Sequence, residues 1–353
     1  MDAELKKRIL NYIGGCVDVV SITVPNTLKP LIPKRKIDRE TYEKQIDYLY
    51  DKGFVDNPET FFTLPEKKPD YKVIISKPFY DGTYQVISYP SGYKTINPFI
   101  REKFDSYISN RTGYMARWVH GDGGRKTIVC LHGLFLGNPL LGEKMFKIKR
   151  FYKMGFDVVM FVAPFHWRRL PKNILSRGLF LQPDDVVMTS ECFGQSIYDL
   201  YSLYLILKDM GSGEIGIIGA SLGGYIASIF VSLTDVVSFS AMIVPAIDFS
   251  STIKPETFSL PFPLDEALLT KIKKVWQFYS PLNLSPKISS ERILFISSVG
   301  DRLCPFTNVK MLCEIWNWPR MKSLTGGHWL IFNKKERGEA WSLFLRDMGF
   351  IEC

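Results

Sequence analysis

Residues 214–225 read Glu-Ile-Gly-Ile-Ile-Gly-Ala-Ser-Leu-Gly-Gly-Tyr. The first half reads as a short apolar strand and the second half as the start of a helix. Between them, Gly219, Ser221 and Gly223 form the pattern G-x-S-x-G, which is typical of a nucleophile elbow, a strained turn that exposes a serine. Strain at one residue requires small neighbours, since larger side chains would collide with the strand or the helix. The alternative interpretation is a tight turn with an inert serine.

Apolar runs of strand length continue on both sides of this turn. They cover residues 71–76, 82–89, 114–120, 127–131, 157–162, 237–244, 292–298 and 321–324. From residue 127 onward they alternate with helix-length sequence, which predicts an α/β fold with a mostly parallel sheet between helices. Two connections, 164–189 and 247–286, are long enough to form small cap insertions, and loops of this kind usually build the binding site.

The first 70 residues have a different pattern. Apolar residues at helical spacing predict helices over 4–13 and 38–52, so we expect a mostly helical N-terminal extension (1–70) before a catalytic domain (71–353). Residues 24–36 combine three prolines and several basic residues with Leu and Ile. Two interpretations stay open: residues 1–36 make a peripheral contact with a membrane surface, or the segment packs on its own domain.

Composition narrows the class of protein. The chain has 353 residues, 46% of them hydrophobic, 23% charged, and a net charge of +9, as expected of a large globular α/β protein. No basic run with interleaved aromatic residues indicates a nucleic-acid partner. The six cysteines are scattered without a C-x-x-C pair, which argues against a disulfide framework or zinc site.

The N-terminus does not read as a signal peptide, and we expect a cytoplasmic location.

A serine hydroxyl becomes a good nucleophile when a base accepts its proton and a carboxylate orients that base. The chain has four histidines, and His328 lies late in the sequence in a glycine-lined loop. Asp301 directly follows an apolar strand. The order Ser221, Asp301, His328 matches the order of the triad in α/β-hydrolases. Asp248, which follows the strand after the elbow helix, is the alternative acid.

These motifs together identify a resemblance. From about residue 71 to 353, the chain resembles α/β-hydrolases of the esterase/lipase kind. The resemblance rests on His132-Gly133 after a buried strand, the elbow, G-x-x-x-x-P around Asp301, and Gly-Gly-His ending at His328. The runs Pro-Phe-His-Trp-Arg (164–168) and Gln-Ser-Ile-Tyr-Asp (195–199) are similar to a poorly characterised group of these enzymes. The resemblance implies the fold and the triad, with no metal or organic cofactor, and it leaves the substrate open.

Two backbone N–H groups are candidates for the oxyanion hole. The N–H of Leu222 follows the serine at the positive end of a helix. The resemblance implies Leu134, the residue after His-Gly, as the second donor. His132 is a candidate contact to the substrate, although a structural histidine that holds this loop is the favoured interpretation.

His166, Arg168 and Arg169 occupy the position expected for a wall of the pocket. An arginine here could bind a carboxylate or phosphate of the substrate through a forked hydrogen bond, or it could form a surface salt bridge. Trp167, Trp276 and Trp329 either line an apolar pocket or belong to the core.

The sequence therefore predicts a serine hydrolase acting on a small-molecule ester or a lipid-like ester. Acyl transfer or amide and peptide cleavage on the same triad is the second possibility. The third is a non-catalytic scaffold that binds a ligand, because a fold does not by itself specify a function.

Overall fold

The structure is a computed structural model that describes residues 3–27, 36–172, 179–250, 258 and 260–352. Within these residues, nine strands form a single sheet. They are β1 (Lys72–Phe79), β2 (Gly82–Pro90), β3 (Thr112–Val119), β4 (Thr127–Leu131), β5 (Asp157–Val162), β6 (Ile215–Ala220), β7 (Phe239–Ile243), β8 (Ile293–Ser298) and β9 (Arg320–Leu324).

The strand order across the sheet is β1-β2-β3-β5-β4-β6-β7-β8-β9. The pairs β1–β2, β2–β3 and β3–β5 are antiparallel, and every pair from β5 to β9 is parallel. The predicted mostly parallel sheet is thereby confirmed. The order also brings the carboxyl ends of β6, β8 and β9 to one edge, where their loops can meet.

Helices cover both faces of the sheet. They are α1 (Ala3–Thr27), α2 (Arg39–Asp51), α3 (Pro98–Asp105), α4 (Pro139–Met145), α5 (Ile148–Lys153), α6 (Val186–Asp209), α7 (Leu222–Leu233), α8 (Glu266–Phe278), α9 (Phe306–Ile315) and α10 (Lys334–Asp347).

The sheet separates two hydrophobic layers, as the alternation of side chains along β4 shows. Val129 and Leu131 belong to the layer formed with α6, α7 and α8, whereas Ile128 and Cys130 belong to the layer formed with α5 and α10. Because both faces of this strand are covered, a continuous apolar run is the sequence that it needs.

The largest difference from the sequence prediction at strand level is β1, which continues through Pro78 to Phe79 rather than ending at residue 76. Proline cannot donate a backbone hydrogen bond and is therefore tolerated mainly in edge strands. β1 is such an edge, paired only with β2 in the described sheet.

The N-terminal residues pack on the rest of the protein. Helix α1 extends well beyond the predicted 4–13, and helix α2 contributes Tyr42, Ile46 and Leu49 to the α6/α7 layer. Residues 28–35, part of the basic apolar segment, lie outside the described residues. None of the described helices has the length and hydropathy needed to cross a membrane. The uncharged window 215–233 is divided between β6 and α7.

Candidate active site

Ser221 lies in the turn between β6 and α7, with φ 52° and ψ −116°. This conformation is costly for any residue with a Cβ atom. The flanking glycines are required by close packing: a Cβ on Gly219 would lie 2.2 Å from the Gly223 carbonyl oxygen, and a Cβ on Gly223 would lie 2.0 Å from the Leu131 carbonyl oxygen. The sequence G-x-S-x-G therefore allows the serine to stand out from the end of β6.

Two further polar side chains meet the serine at this edge of the sheet. His328, in the loop after β9, places Nε2 3.1 Å from Ser221 Oγ. Its Nδ1 lies 2.8 Å from Oδ2 of Asp301, in the loop after β8. The other oxygen of Asp301 accepts hydrogen bonds from the backbone N–H groups of Leu303 and Cys304, at 2.9 and 2.7 Å. The carboxylate is therefore fixed in position and directed at the imidazole.

The electrostatics of His328 are set by these neighbours. Burial alone works against a charge on the ring, but the hydrogen bond to Asp301 and the adjacent Cys304 thiol outweigh it, so the pKa of His328 is raised above the ordinary 6.5. The imidazolium that would form when the ring accepts a proton is thus strongly stabilised.

Two backbone amides lie beside the serine and lack protein acceptors within the described residues. They belong to Leu222, the first residue of α7, and Leu134, in the loop after β4. Both residues line the same cavity as Ser221 and His328. The amide of Leu222 stands at the positive end of the α7 dipole, where a negative oxygen is stabilised.

This geometry can be compared with known proteins. No protein-family model matches the sequence. Two uncharacterised proteins of Mycobacterium tuberculosis are each 25% identical to it over 317 residues, which is 87% of this chain and 75% of the relative. Among solved structures, acetyl xylan esterase 1 from a Thermoanaerobacterium species has a TM-score of 0.59 at 15% identity, covering 85% of this chain and 93% of that one. An acetyl xylan esterase from a Paenibacillus species has a TM-score of 0.56 at 13% identity, covering 91% and 98%.

The chain has the α/β-hydrolase fold. In this fold, ligands bind outside the carboxyl ends of the parallel strands, which is where Ser221, Asp301 and His328 meet. Asp248, the alternative acid, instead accepts hydrogen bonds from the backbone N–H and hydroxyl of Ser250, at 2.8 and 2.7 Å.

His132 and His166 hold the loop that carries Leu134. His132 donates from Nδ1 to the Gly133 carbonyl at 2.8 Å and accepts at Nε2 from the Ala163 N–H at 3.1 Å. His166 donates to the Pro164 carbonyl at 2.7 Å and accepts from the Phe135 N–H at 3.2 Å. Burial lowers the pKa of His132 to about 4 and that of His166 to about 3. Both rings are therefore neutral, and each links the Leu134 loop to its surroundings.

The two candidate arginines lie outside the cavity. Arg169 is fully buried and pairs with Asp199 at 2.7 Å, while its other nitrogen donates to the Val162 carbonyl at 3.1 Å. Arg168 is exposed and lies over the Trp167 ring, 5.0 Å from its centroid. These contacts give Arg169 a structural role, and neither arginine is among the residues that line the cavity at Ser221. The predicted substrate contact of Arg168 or Arg169 therefore does not fit the structure.

One residue that the sequence did not indicate contacts the loops that carry Asp301 and His328. Asp18, in α1, is fully buried and accepts hydrogen bonds from the backbone N–H groups of His328, at 2.8 Å, and Arg302, at 3.0 Å. Nearby, Asn11 accepts from the Gly326 N–H at 2.8 Å. The feature of the sequence that could have indicated Asp18 is a single carboxylate within the run Cys-Val-Asp-Val at 16–19.

A cavity of about 620 Å³ opens at Ser221. It continues along the α5/α10 side of the sheet, past Ile218, Ile243 and Ile296. Of the three tryptophans considered above, Trp329 lines this cavity, while Trp276 belongs to the core. The volume falls in the range that binds small molecules, and the lining is mainly apolar.

Within the described part of the chain, one group of side chains has the composition of a metal site. Oxygen, sulfur and nitrogen atoms of Asp301, Cys304 and His328 lie within 4.8 Å of one another. The same Asp301 and His328 atoms form the hydrogen bonds described above. The carboxylate and the imidazole of this group are therefore already hydrogen-bonded to each other, with the Cys304 thiol beside them.

Proposed function

We propose that the protein is a serine hydrolase that cleaves a carboxylic ester through an acyl-serine intermediate. The observation that carries this proposal is the hydrogen-bonded series from Ser221 Oγ to His328 Nε2, at 3.1 Å, and from His328 Nδ1 to Asp301, at 2.8 Å. A serine hydroxyl is a weak nucleophile until such a base accepts its proton.

In the first half of the reaction, Ser221 Oγ attacks the carbonyl carbon while His328 Nε2 takes the hydroxyl proton. The carbonyl oxygen becomes negatively charged and accepts hydrogen bonds from the Leu222 and Leu134 N–H groups. The intermediate then collapses: the bond to the alcohol oxygen breaks, His328 returns its proton to that oxygen, and an acyl-serine remains.

In the second half, water attacks the acyl carbon and gives a proton to His328. The bond to Ser221 Oγ breaks, the proton returns to the serine, and a carboxylic acid leaves. Asp301 holds the imidazole in one tautomer and stabilises its positive charge in both halves.

Transfer of the acyl group to an alcohol or amine, or cleavage of an amide, would use the same groups and differ only in the acceptor or leaving group. The mainly apolar cavity favours an ester with an apolar, lipid-like part. The two structural relatives quoted above are named as acetyl xylan esterases, which agrees with an ester as the substrate.

The decisive experiment is labelling with a fluorophosphonate probe together with hydrolysis of 4-nitrophenyl esters of graded chain length. We expect Ser221→Ala to abolish labelling and to lower kcat by about 10⁴-fold or more. Ser228→Ala is the matched control, because this buried serine of α7 donates its hydroxyl to the Gly224 carbonyl within the helix, and its own carbonyl, which the substitution keeps, accepts from the Ser232 hydroxyl. Wild-type activity in Ser221→Ala would overturn the mechanism. Absence of both labelling and hydrolysis in the wild type would favour a ligand-binding scaffold.

A further inference from the structure

The cavity beside Ser221 has a marked asymmetry of charge. Its described lining includes four cationic side chains, Lys147, Arg150, Lys334 and Arg337, and no aspartate or glutamate. Apolar cavities usually carry few polar groups, and those groups determine how a ligand is oriented. Four positive charges without a counter-charge in the described lining therefore favour a ligand that carries a negative charge.

The positions of these cations follow from helix geometry. Lys334, Arg337 and Trp341 are spaced by three and four residues along α10, so they share one face, and that face lines the cavity. Lys147 and Arg150 lie at the start of α5, which covers the same side of the sheet. Helix α10 contributes two cations, and helix α5 contributes Arg150 together with Lys147, the residue that precedes it. The other wall of the cavity is the apolar surface of β6, β7 and β8.

Several neighbouring cations form ion pairs, whereas these four form none in the described structure. Lys149 pairs with Glu143 at 3.1 Å, Lys335 with Glu339 at 3.9 Å, and Lys322 with Glu336 at 2.9 Å. Among the described residues, no ion pair includes Lys147, Arg150, Lys334 or Arg337. The carboxylates in this region are therefore already paired with cations that do not line the cavity.

Arg337 is the most informative of the four. Its side chain is half-buried, and loss of solvation lowers its pKa with no opposing carboxylate. One helical turn further on, the buried indole N–H of Trp341 has no acceptor in the described structure. A partly desolvated guanidinium and an unused donor on one helix face have the chemistry of an anion site.

We propose that the substrate is an ester whose apolar chain carries an anionic group, a carboxylate or a phosphate. The chain occupies the cavity along Ile218 and Ile296, and the anion pairs with Arg337, assisted by Arg150. This inference rests on the proposed ester hydrolysis at Ser221 and specifies its substrate class.

The test compares substrates that differ only in the anion. One arm uses 4-nitrophenyl octanoate and the mono-4-nitrophenyl ester of octanedioic acid, with the six-, ten- and twelve-carbon homologues. The other arm uses 4-nitrophenyl 8-hydroxyoctanoate and its 8-O-phosphate, so that the phosphate likewise stands at the end of the acyl chain. The quantity measured is the ratio of kcat/KM for the anionic substrate to kcat/KM for the neutral one.

We expect Arg337→Ala to lower this ratio about 10- to 100-fold in one arm at the best chain length, and Arg150→Ala to lower it less. The arm that responds identifies the anion as a carboxylate or a phosphate. Lys335→Ala, which removes the adjacent but paired cation of α10, should keep the wild-type ratio. An unchanged ratio in both arms for both arginine variants overturns the proposal while leaving ester hydrolysis intact.

Calorimetric binding to Ser221→Ala separates this proposal from the proposed function. Monomethyl octanedioate should bind this variant at least 10-fold more tightly than methyl octanoate, and adding Arg337→Ala should remove the difference. If no substrate is hydrolysed but this difference is present, the anion site stands and the reaction is wrong. Equal binding of the two esters overturns the anion site whether or not hydrolysis occurs.

Discussion

Ser221 combines an unfavourable backbone conformation with a position at the end of β6. Its φ of 52° and ψ of −116° lie in a region that glycine enters easily and other residues enter at a cost. The contacts of the surrounding strand, helix and glycines hold the residue there. The protein therefore loses stability at the position of the proposed nucleophile.

This cost can be measured by comparing two inactive variants. Ser221→Gly should be more stable than Ser221→Ala by roughly 1 kcal/mol, because glycine relieves the strain and alanine retains it. Urea unfolding of both variants gives the difference in free energy. Equal stability, or a more stable alanine variant, would show that the turn stores no strain.

The raised pKa of His328 predicts the pH dependence of catalysis. In the proposed mechanism the neutral imidazole is the base, so activity is lost as pH falls through this pKa, and the acid limb of kcat/KM should lie above the ordinary 6.5. Asp301→Asn removes the carboxylate that raises the pKa of His328. Burial, which lowers this pKa, remains in the variant. The limb should therefore move to lower pH in this variant.

The same titration can be followed by NMR of the imidazole signals in the Ser221→Ala background. His132 and His166 provide internal references, because their pKa values of about 4 and about 3 keep them neutral through this range. A wild-type limb at or below pH 6.5, or no change with Asp301→Asn, would contradict the assigned role of the carboxylate.

At the scale of elements, α1 is the helix whose role the sequence left undecided. Its residues Asn11 and Asp18 accept hydrogen bonds from the loop that carries His328, and Asp18 also accepts one from the loop that carries Asp301. The backbones come very close: a Cβ on Gly14 would lie 2.1 Å from the Gly327 nitrogen. The helix therefore acts as a brace that holds the loops of Asp301 and His328.

Displacing this brace should reduce turnover without unfolding the protein. We expect Gly14→Ala and Asp18→Ala to lower kcat about 10- to 100-fold, because a misplacement of about 1 Å at a triad costs this much. KM should change little, since the cavity walls come from other elements. Cys16→Ala is the matched control, as this residue is exposed on the same helix.

Asp18→Asn tests the role of Asp18 further. The amide oxygen keeps one acceptor, so part of the lost kcat should return relative to Asp18→Ala. Asp18→Ala also leaves buried N–H groups without their acceptor, so its melting temperature should fall by a few degrees while the protein stays folded at the assay temperature. Full kcat in the folded variants, or a loss of kcat that asparagine does not reduce, would indicate that α1 contributes only to stability.

For the whole molecule, the buried pair Arg169–Asp199 connects distant parts of the chain. Arg169 follows β5, Asp199 belongs to α6, and the guanidinium also donates to the Asn110 carbonyl at 2.9 Å. Burial raises the pKa of Asp199, and the Arg169 and Ser91 contacts oppose that rise. Leaving one buried charge without its partner is far more costly than losing an exposed pair.

Asp199→Asn should therefore lower the free energy of unfolding by about 3–5 kcal/mol, since it leaves the buried guanidinium without a counter-charge. Asp122→Asn removes the partner of Arg125 in an exposed pair and should leave the unfolding midpoint unchanged within error. Denaturant unfolding of both variants provides the comparison. Similar midpoints for the two would mean that the buried pair does not tie these elements together.

Local patterns in the sequence were sufficient for the sheet and for the elbow. Strand length, alternation with helices, and the small residues around Ser221 depend on neighbours a few positions away, and they predicted the mostly parallel sheet and its strand positions to within a few residues. The triad candidates also followed from sequence, because each stands just after a strand and parallel strands end at a common edge. The structure brings the three side chains within hydrogen-bonding distance.

Only the tertiary structure could decide which cations face the cavity and what α1 does. Arg168 and Arg169 follow a strand end as a substrate-binding arginine would, yet the packing of α6 takes Arg169 into a buried pair. Arg337 has no distinguishing sequence context, and its exposure to the cavity depends on which face of α10 meets the sheet. Asp18 contacts residues 284 and 310 positions away. Contacts of that separation depend on the path of the whole chain, which no local pattern records.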